Sequence, residues 1–155
     1  MRIESLTARQ VMSRVLVAVK QDESPLIAWE LMRRAQVHHL PVLEGADVLG
    51  ILSREDLAAS WSGSLREQSN RQVRELLTGE RRPRVHPDTP LEHVAEVMID
   101  ADCDALPVLS GDGLVGLITA RDVLRAVAGH VRLEKPSGEV ITGMFRLEPV
   151  LPVQG

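Results

Sequence analysis

Apolar residues change their spacing at regular points along the chain. A short β-branched run at 15–19 predicts a buried strand. Ser24-Pro25 then supplies a helix N-cap and a proline at the first helical position, and Leu26, Trp29, Leu31, Met32 and Ala35 give the stripe of a helix. Runs at 39–43 and 48–52 predict two strands joined by a hairpin loop at 44–47. Ser53 caps a further helix that carries Leu57 and Ala58 and fades near Ser60. Ahead of all this, Thr7-x-x-Gln10 is a capping box for a short helix through Val11 and Met12.

The polar, turn-rich stretch 61–69 reads as a linker, after which the pattern starts again. Thr89-Pro90-Leu91-Glu92 predicts a capping box with proline at the first helical position, and Leu91, Val94, Ala95 and Met98 form the stripe. Strands follow at 105–109 and 114–118, then a helix from Ala120 to about Ala128, stopped by Gly129. Pro41 falls on Pro107, Gly45 on Gly111, Gly50 on Gly116, Ser53 on Thr119 and Asp56 on Asp122, all at the ungapped offset 107 − 41 = 66. A constant offset means an internal repeat. The expected organisation is a first unit at 5–60, a linker at 61–69, a second unit at 70–129 and a tail at 130–155. The tail has no counterpart in the repeat and reads either as an added hairpin or as a mobile end.

Hydrophobic residues make up 44% of the chain but aromatic ones only 2%, so the core is expected to be aliphatic. A net charge of −4 offers no broad basic field for nucleic acid. The single cysteine, Cys103, leaves no intrachain disulfide, and its alignment with Val37 predicts a small buried hydrophobe. No leader pattern and no apolar run near 18 residues are present, so the expectation is a cytoplasmic protein that does not span a membrane. No catalytic constellation stands out, and the expectation is a protein that is not an enzyme. Gly111-Asp-Gly-Leu-Val-Gly116 spells a dinucleotide fingerprint, but a strand follows where a helix would have to begin, so it reads as a hairpin turn. His38 and His39 are adjacent on a strand and point to opposite faces, so they cannot share a metal ion. The basic loop 79–84 reads as a solvated connection, with a phosphate-facing role as the alternative.

Two strand-helix-strand-strand-helix units, each with Leu-Pro-Val before a glycine hairpin and Gly-x-x-[Ser/Thr]-x-x-Asp after it, resemble the CBS domain family. Gly50-Ile-Leu-Ser53-Arg-Glu-Asp56 and Gly116-Leu-Ile-Thr119-Ala-Arg-Asp122 carry the resemblance. It implies an α/β (α+β) fold, a tandem CBS-pair architecture of two β-α-β-β-α repeats about a pseudo-twofold axis. It also implies a homodimer, and a regulatory module that binds an adenine nucleotide (AMP, ADP or ATP) between its halves and acts on a partner protein. The nucleotide would be a regulatory ligand and not a catalytic cofactor.

The chemistry expected of such a site follows from the residue types. One carboxylate, Asp56 or Asp122, can accept from both hydroxyls of a ribose. Ser53 or Thr119, with the free N–H groups of a helix start, suits phosphate, and Arg54 and Arg121 can neutralise it. Gly50 and Gly116 would let backbone approach the ligand. Val19, His39 and Leu40, with their counterparts Val85, Ala105 and Leu106, are the candidates for an adenine slot. The competing reading needs no ligand. Ser-x-x-Asp and Thr-x-x-Asp also resemble capping boxes, which would leave a ligand-free dimerisation or interaction module.

Overall fold

In a computed structural model the structure describes residues 5–77, 82–111, 113–131, 139–142 and 148–149. In chain order, α1 (Ala8–Val11) leads to β1 (Val15–Lys20), α2 (Pro25–Ala35), β2 (His39–Glu44), β3 (Asp47–Ser53) and α3 (Arg54–Ser60). A short helix α4 (Leu65–Ser69) and a 3-10 turn (Val73–Leu76) connect to α5 (Leu91–Ala101), β4 (Ala105–Ser110), β5 (Gly113–Thr119) and α6 (Ala120–Val127). Two short strands, β6 (Glu139–Thr142) and β7 (Glu148–Pro149), end the order. Among the described residues no helix is long and apolar enough to cross a membrane.

The 66-residue offset holds in the backbone pairing. Val19 pairs in parallel with Val42, and the bridge Val85–Val108 is the same pair one repeat later. His39 faces Ser53 and Ala105 faces Thr119, and both antiparallel pairs slip register at the same place, after Val42 and after Val108. In the second half the leading strand is represented, among the described residues, by that one bridge at Val85. The tail takes the other edge of β1: β6 runs parallel to it from Val15 to Ala18, and β7 pairs antiparallel with β6. The tail therefore extends the first sheet, giving the order β3-β2-β1-β6-β7.

Two expected elements differ. The stretch 61–69 is part helix, because Ser64 caps α4 by accepting from Glu67 N–H at 3.2 Å, and the buried Gln68 amide donates to the Ser62 carbonyl. The expected box at Thr89 is not made. Thr89 Oγ1 accepts from His86 N–H at 3.0 Å, and Pro90 takes the N-cap position with no side-chain cap.

Packing crosses the repeat boundary in both directions. Leu6, Ala8, Val11 and Met12 lie in one core with Val94, Leu106 and Ile118 of the second half. Val73 and Leu76 lie in the other core, with Met32, Leu40 and Leu57 of the first half. Backbone bonds fix both exchanges: Ala8 N–H to Thr89 O (2.9 Å), Leu117 N–H to Ser13 O (3.0 Å) and Val73 N–H to Glu23 O (2.8 Å). A third layer, with Leu16, Ala18, Leu43, Ala105, Leu114 and Leu117, joins the two sheets face to face. Each strand-to-helix junction is thus held near the seam between the halves.

Candidate functional site

Two clefts open along that seam. Cleft A holds about 650 Å³ and cleft B about 470 Å³. Both fall in the roughly 300–1,000 Å³ range of small-molecule sites. They are equivalents under the repeat. Pro83, Asp102, Cys103, Ala105 and Asp56 line cleft A where Val17, Gln36, Val37, His39 and Asp122 line cleft B. Each cleft takes its motif aspartate from one half and its facing wall from the other.

The two motif aspartates are in different states. Thr119 Oγ1 accepts from Asp122 N–H at 3.2 Å, and Asp122 Oδ2 accepts from Thr119 N–H at 2.9 Å, a closed capping box. Arg125 Nη1 stands 3.7 Å from the other oxygen, and Asp122 is 6% exposed. At the first junction only half of this is present: Ser53 Oγ accepts from Asp56 N–H at 3.0 Å. The Asp56 carboxylate is exposed, lines cleft A and accepts no hydrogen bond among the described residues.

Arginines complete the contrast. Arg82 and Arg84 line cleft A with Asp56, Asp47 and Asp102. Arg121 and Arg125 line cleft B, with Glu55, Asp104 and Asp122. Cleft B is also crossed by a bond between halves, His39 Nε2 to Asp104 Oδ1 at 3.0 Å. Cys103 lines cleft A half-buried, and burial pushes its thiol above the ordinary range, with the carboxylates of Asp104 and Asp102 adding to the effect. Cys103 also packs against the core of the second half, so the expected small hydrophobe is there, half-buried and not fully buried. Among the described residues no three His, Cys, Asp or Glu side chains are grouped to hold a metal ion.

Several sequence-predicted site residues lie elsewhere. Val19, Leu40, Val85 and Leu106 are buried core residues and line neither cleft, because the β1–β2 pairing and its Val85–Val108 equivalent turn these side chains under the helices. On the leading segment of each half, Val17 and Pro83, two residues earlier, do reach the clefts. Arg54 stacks its guanidinium 5.3 Å from the centre of the Trp29 ring, which itself sits 6.1 Å from Trp61, so its charge is spent on the outer face of α2. Gly116 approaches protein and not a cleft: a Cβ there would stand 2.3 Å from Met12 Sδ and 3.1 Å from the Ser13 carbonyl. Gly50 lines cleft A, Ala105 lines it from the second half, and His39, Thr119 and Arg121 line cleft B. Ser53 caps α3 without lining either cleft.

Sequence reasoning passed over Asp104 and Arg125, and it reached Arg82 and Arg84 only as the phosphate-facing alternative for the loop 79–84. The offset was the signal available for the cleft walls: once Val17 is a wall residue, 17 + 66 selects Pro83, between Arg82 and Arg84. The same offset shows that Arg121 is the counterpart of Glu55, and Arg54 that of Ala120, so the two arginines were never equivalent.

Comparison with known proteins agrees with this architecture. The A-adding tRNA nucleotidyltransferase of Geobacter sulfurreducens is 31% identical over 119 residues, covering 77% of this chain and 13% of that protein. The inosine-5'-monophosphate dehydrogenase of Korarchaeum cryptofilum is 32% identical over 123 residues, covering 79% of this chain and 23% of that protein. The chain therefore spans less than a quarter of either relative. A CBS-domain protein from Burkholderia ambifaria superposes with a TM-score of 0.65 at 27% identity, over 78% of this chain and 88% of its own. A CBS domain pair in complex with 5'-methylthioadenosine and S-adenosyl-L-methionine superposes with a TM-score of 0.69 at 22% identity, over 80% and 97%, a likeness of fold. The CBS domain family model matches residues 8–63 and 73–129, and this chain belongs to the CBS domain family as a tandem pair.

Proposed function

We propose that the chain is a regulatory module that binds an adenine nucleotide in cleft A and acts through a homodimer on a partner protein. The observation that carries the reading is the Asp56 carboxylate, exposed in the cleft with no hydrogen bond to its oxygens among the described residues, and Arg82 and Arg84 lining the same cleft from the other half. A free carboxylate suits a ribose diol, and two guanidinium groups suit phosphate. Cleft B offers less, because Asp122 already accepts from Thr119 and faces Arg125. The CBS domain pair solved with 5'-methylthioadenosine and S-adenosyl-L-methionine supports an adenosine-containing ligand, and the seam position supports the regulatory role. A ligand that touches both halves favours one spacing of them and can shift a partner docked on the outside only by that difference in affinity.

The ligand-free reading retains one supporting observation. Ser53 and Thr119 both cap helices, and Thr119 with Asp122 forms a complete box. That accounts for the second junction and leaves the Asp56 carboxylate without a role.

Thermal unfolding with AMP, ADP, ATP and adenosine tests the proposal. A ligand at 100 times its dissociation constant stabilises the fold by about 2.7 kcal/mol. Binding is expected with one strong site per chain and with phosphorylated ligands ahead of adenosine. No shift with any adenosine compound returns the chain to the ligand-free reading.

A further inference from the structure

One pair of positions sets the two clefts apart sterically. His39 opens β2 opposite Ser53, and Ala105 opens β4 opposite Thr119, so the 66-residue offset puts them at the same place in each half. His39 lines cleft B and Ala105 lines cleft A. The imidazole is no loose surface group. Its side chain is 13% exposed, and its Nε2 lies 3.0 Å from Asp104 Oδ1, which reaches it from the other half. Asp104 lines cleft B as well, so the pair stands within that cleft. The repeat-related contact would join His38 to Ala105, and a methyl group offers no hydrogen bond. Cleft A therefore lacks this crossing, and it is the roomier of the two, about 650 Å³ against about 470 Å³.

We infer that His39, clasped by Asp104, is a built-in plug that closes cleft B to a nucleoside-sized ligand and leaves the chain with one ligand site. The flat ring of His39 takes the room that Ala105 leaves open in cleft A. A ligand entering cleft B has to break the bond to Asp104 and turn the ring aside, and both steps subtract from its affinity. Asp122 adds to the handicap, because its carboxylate stays on the Thr119 cap. A bond that served only to tie the halves together would show in stability alone; a plug shows in how many ligands the chain takes. The inference deepens the proposed function and rests on its ligand class.

Calorimetry of the full chain with AMP, ADP and ATP counts the sites. The wild-type chain is expected to take one ligand. His39→Ala is expected to take two, the second about tenfold or more weaker than the first. Asp104→Ala releases the ring without shortening it and is expected to show the same second event, weaker again. Arg121→Glu in the His39→Ala background is expected to remove the second event and keep the first, which places it in cleft B. Asp104 is 66% exposed, so its variant decides the matter even where His39→Ala fails to fold. One ligand in the wild-type chain and still one in each folded variant rejects the plug and leaves cleft A standing. Two ligands in the wild-type chain reject it as well, since cleft B then fills with the clasp in place. No binding to any of the chains rejects the ligand reading together with the plug.

Discussion

At residue 119 the threonine hydroxyl takes the N–H of Asp122 while the Asp122 carboxylate takes the N–H of Thr119; at residue 53 only the first of these bonds is made. The spacing is the same in the two halves, and so are the strand before it and the helix after it. What differs is where the third residue of the helix sends its carboxylate. Asp122 turns back onto its own cap and is covered; Asp56 stays open to a cleft that also holds Arg82 and Arg84. A duplicated motif thus divides into a closed capping box and a half-made one whose carboxylate accepts no hydrogen bond among the described residues. The lesson is that a capping signature and a ligand signature written in the same letters are told apart by which hydrogen bonds are already made.

The sharpest way to break the comparison is to remove each carboxylate in turn. Asp56→Ala is expected to cost about 1.5–3 kcal/mol of nucleotide binding, on the order of 10–100-fold in affinity by calorimetry, with the unfolding midpoint little changed. Asp122→Ala is expected to do the reverse, lowering stability by about 0.5–2 kcal/mol in denaturant unfolding while affinity holds. If the two exchange roles, the assignment of cleft A fails.

The glycines sharpen it next. Gly116→Ala drives a methyl group against Met12 and the Ser13 backbone and is expected to destabilise by about 1–3 kcal/mol. Gly50→Ala meets only the end of the Leu77 side chain at 3.3 Å, which can give way, so its expected cost in the same unfolding assay is well under that. Equal costs would mean that both glycines serve one purpose.

Much of this was legible in advance because the repeat is ungapped through the strands. The period-2 runs, the serine and threonine caps and the offset place β2 to α3 and β4 to α6 directly. Other features depend on tertiary partners that no local pattern encodes. Leu6 to Met12 read as the start of the first unit, yet they fill the core of the second, a choice made by long-range backbone bonds such as Ala8 to Thr89. The expected adenine slot is reached only by His39 and Ala105, for a related reason. Val17 and Val19 share a strand face, and only tertiary packing leaves Val19 buried and Val17 partly open. Arg54 reads as a phosphate partner until Trp29 is found beneath it. β6 pairs with β1, and nothing in the repeat announces it.

The smallest effect isolates cleft A from cleft B without altering either aspartate. Cys103 is the single cysteine and lies in cleft A, where cleft B has Val37. Its folded-state pKa is raised, first by burial, so less of the thiol is ionised at a given alkaline pH than of a free thiol. Alkylation near pH 8 should therefore run slower than that of a model thiol and recover as pH rises through the raised value. The sign for stability follows: the thiol's contribution is intact below the unfolded pKa and is lost as pH climbs through the folded one. Cys103→Ala should remove that alkaline loss and change little at neutral pH, which denaturant unfolding at both pH values checks. In the wild-type chain a nucleotide seated in cleft A covers the thiol and should slow alkylation further, with saturation at one ligand per chain. A nucleotide that binds yet leaves Cys103 reacting at its free rate sits in the other cleft, and the division of labour between Asp56 and Asp122 would then be reversed.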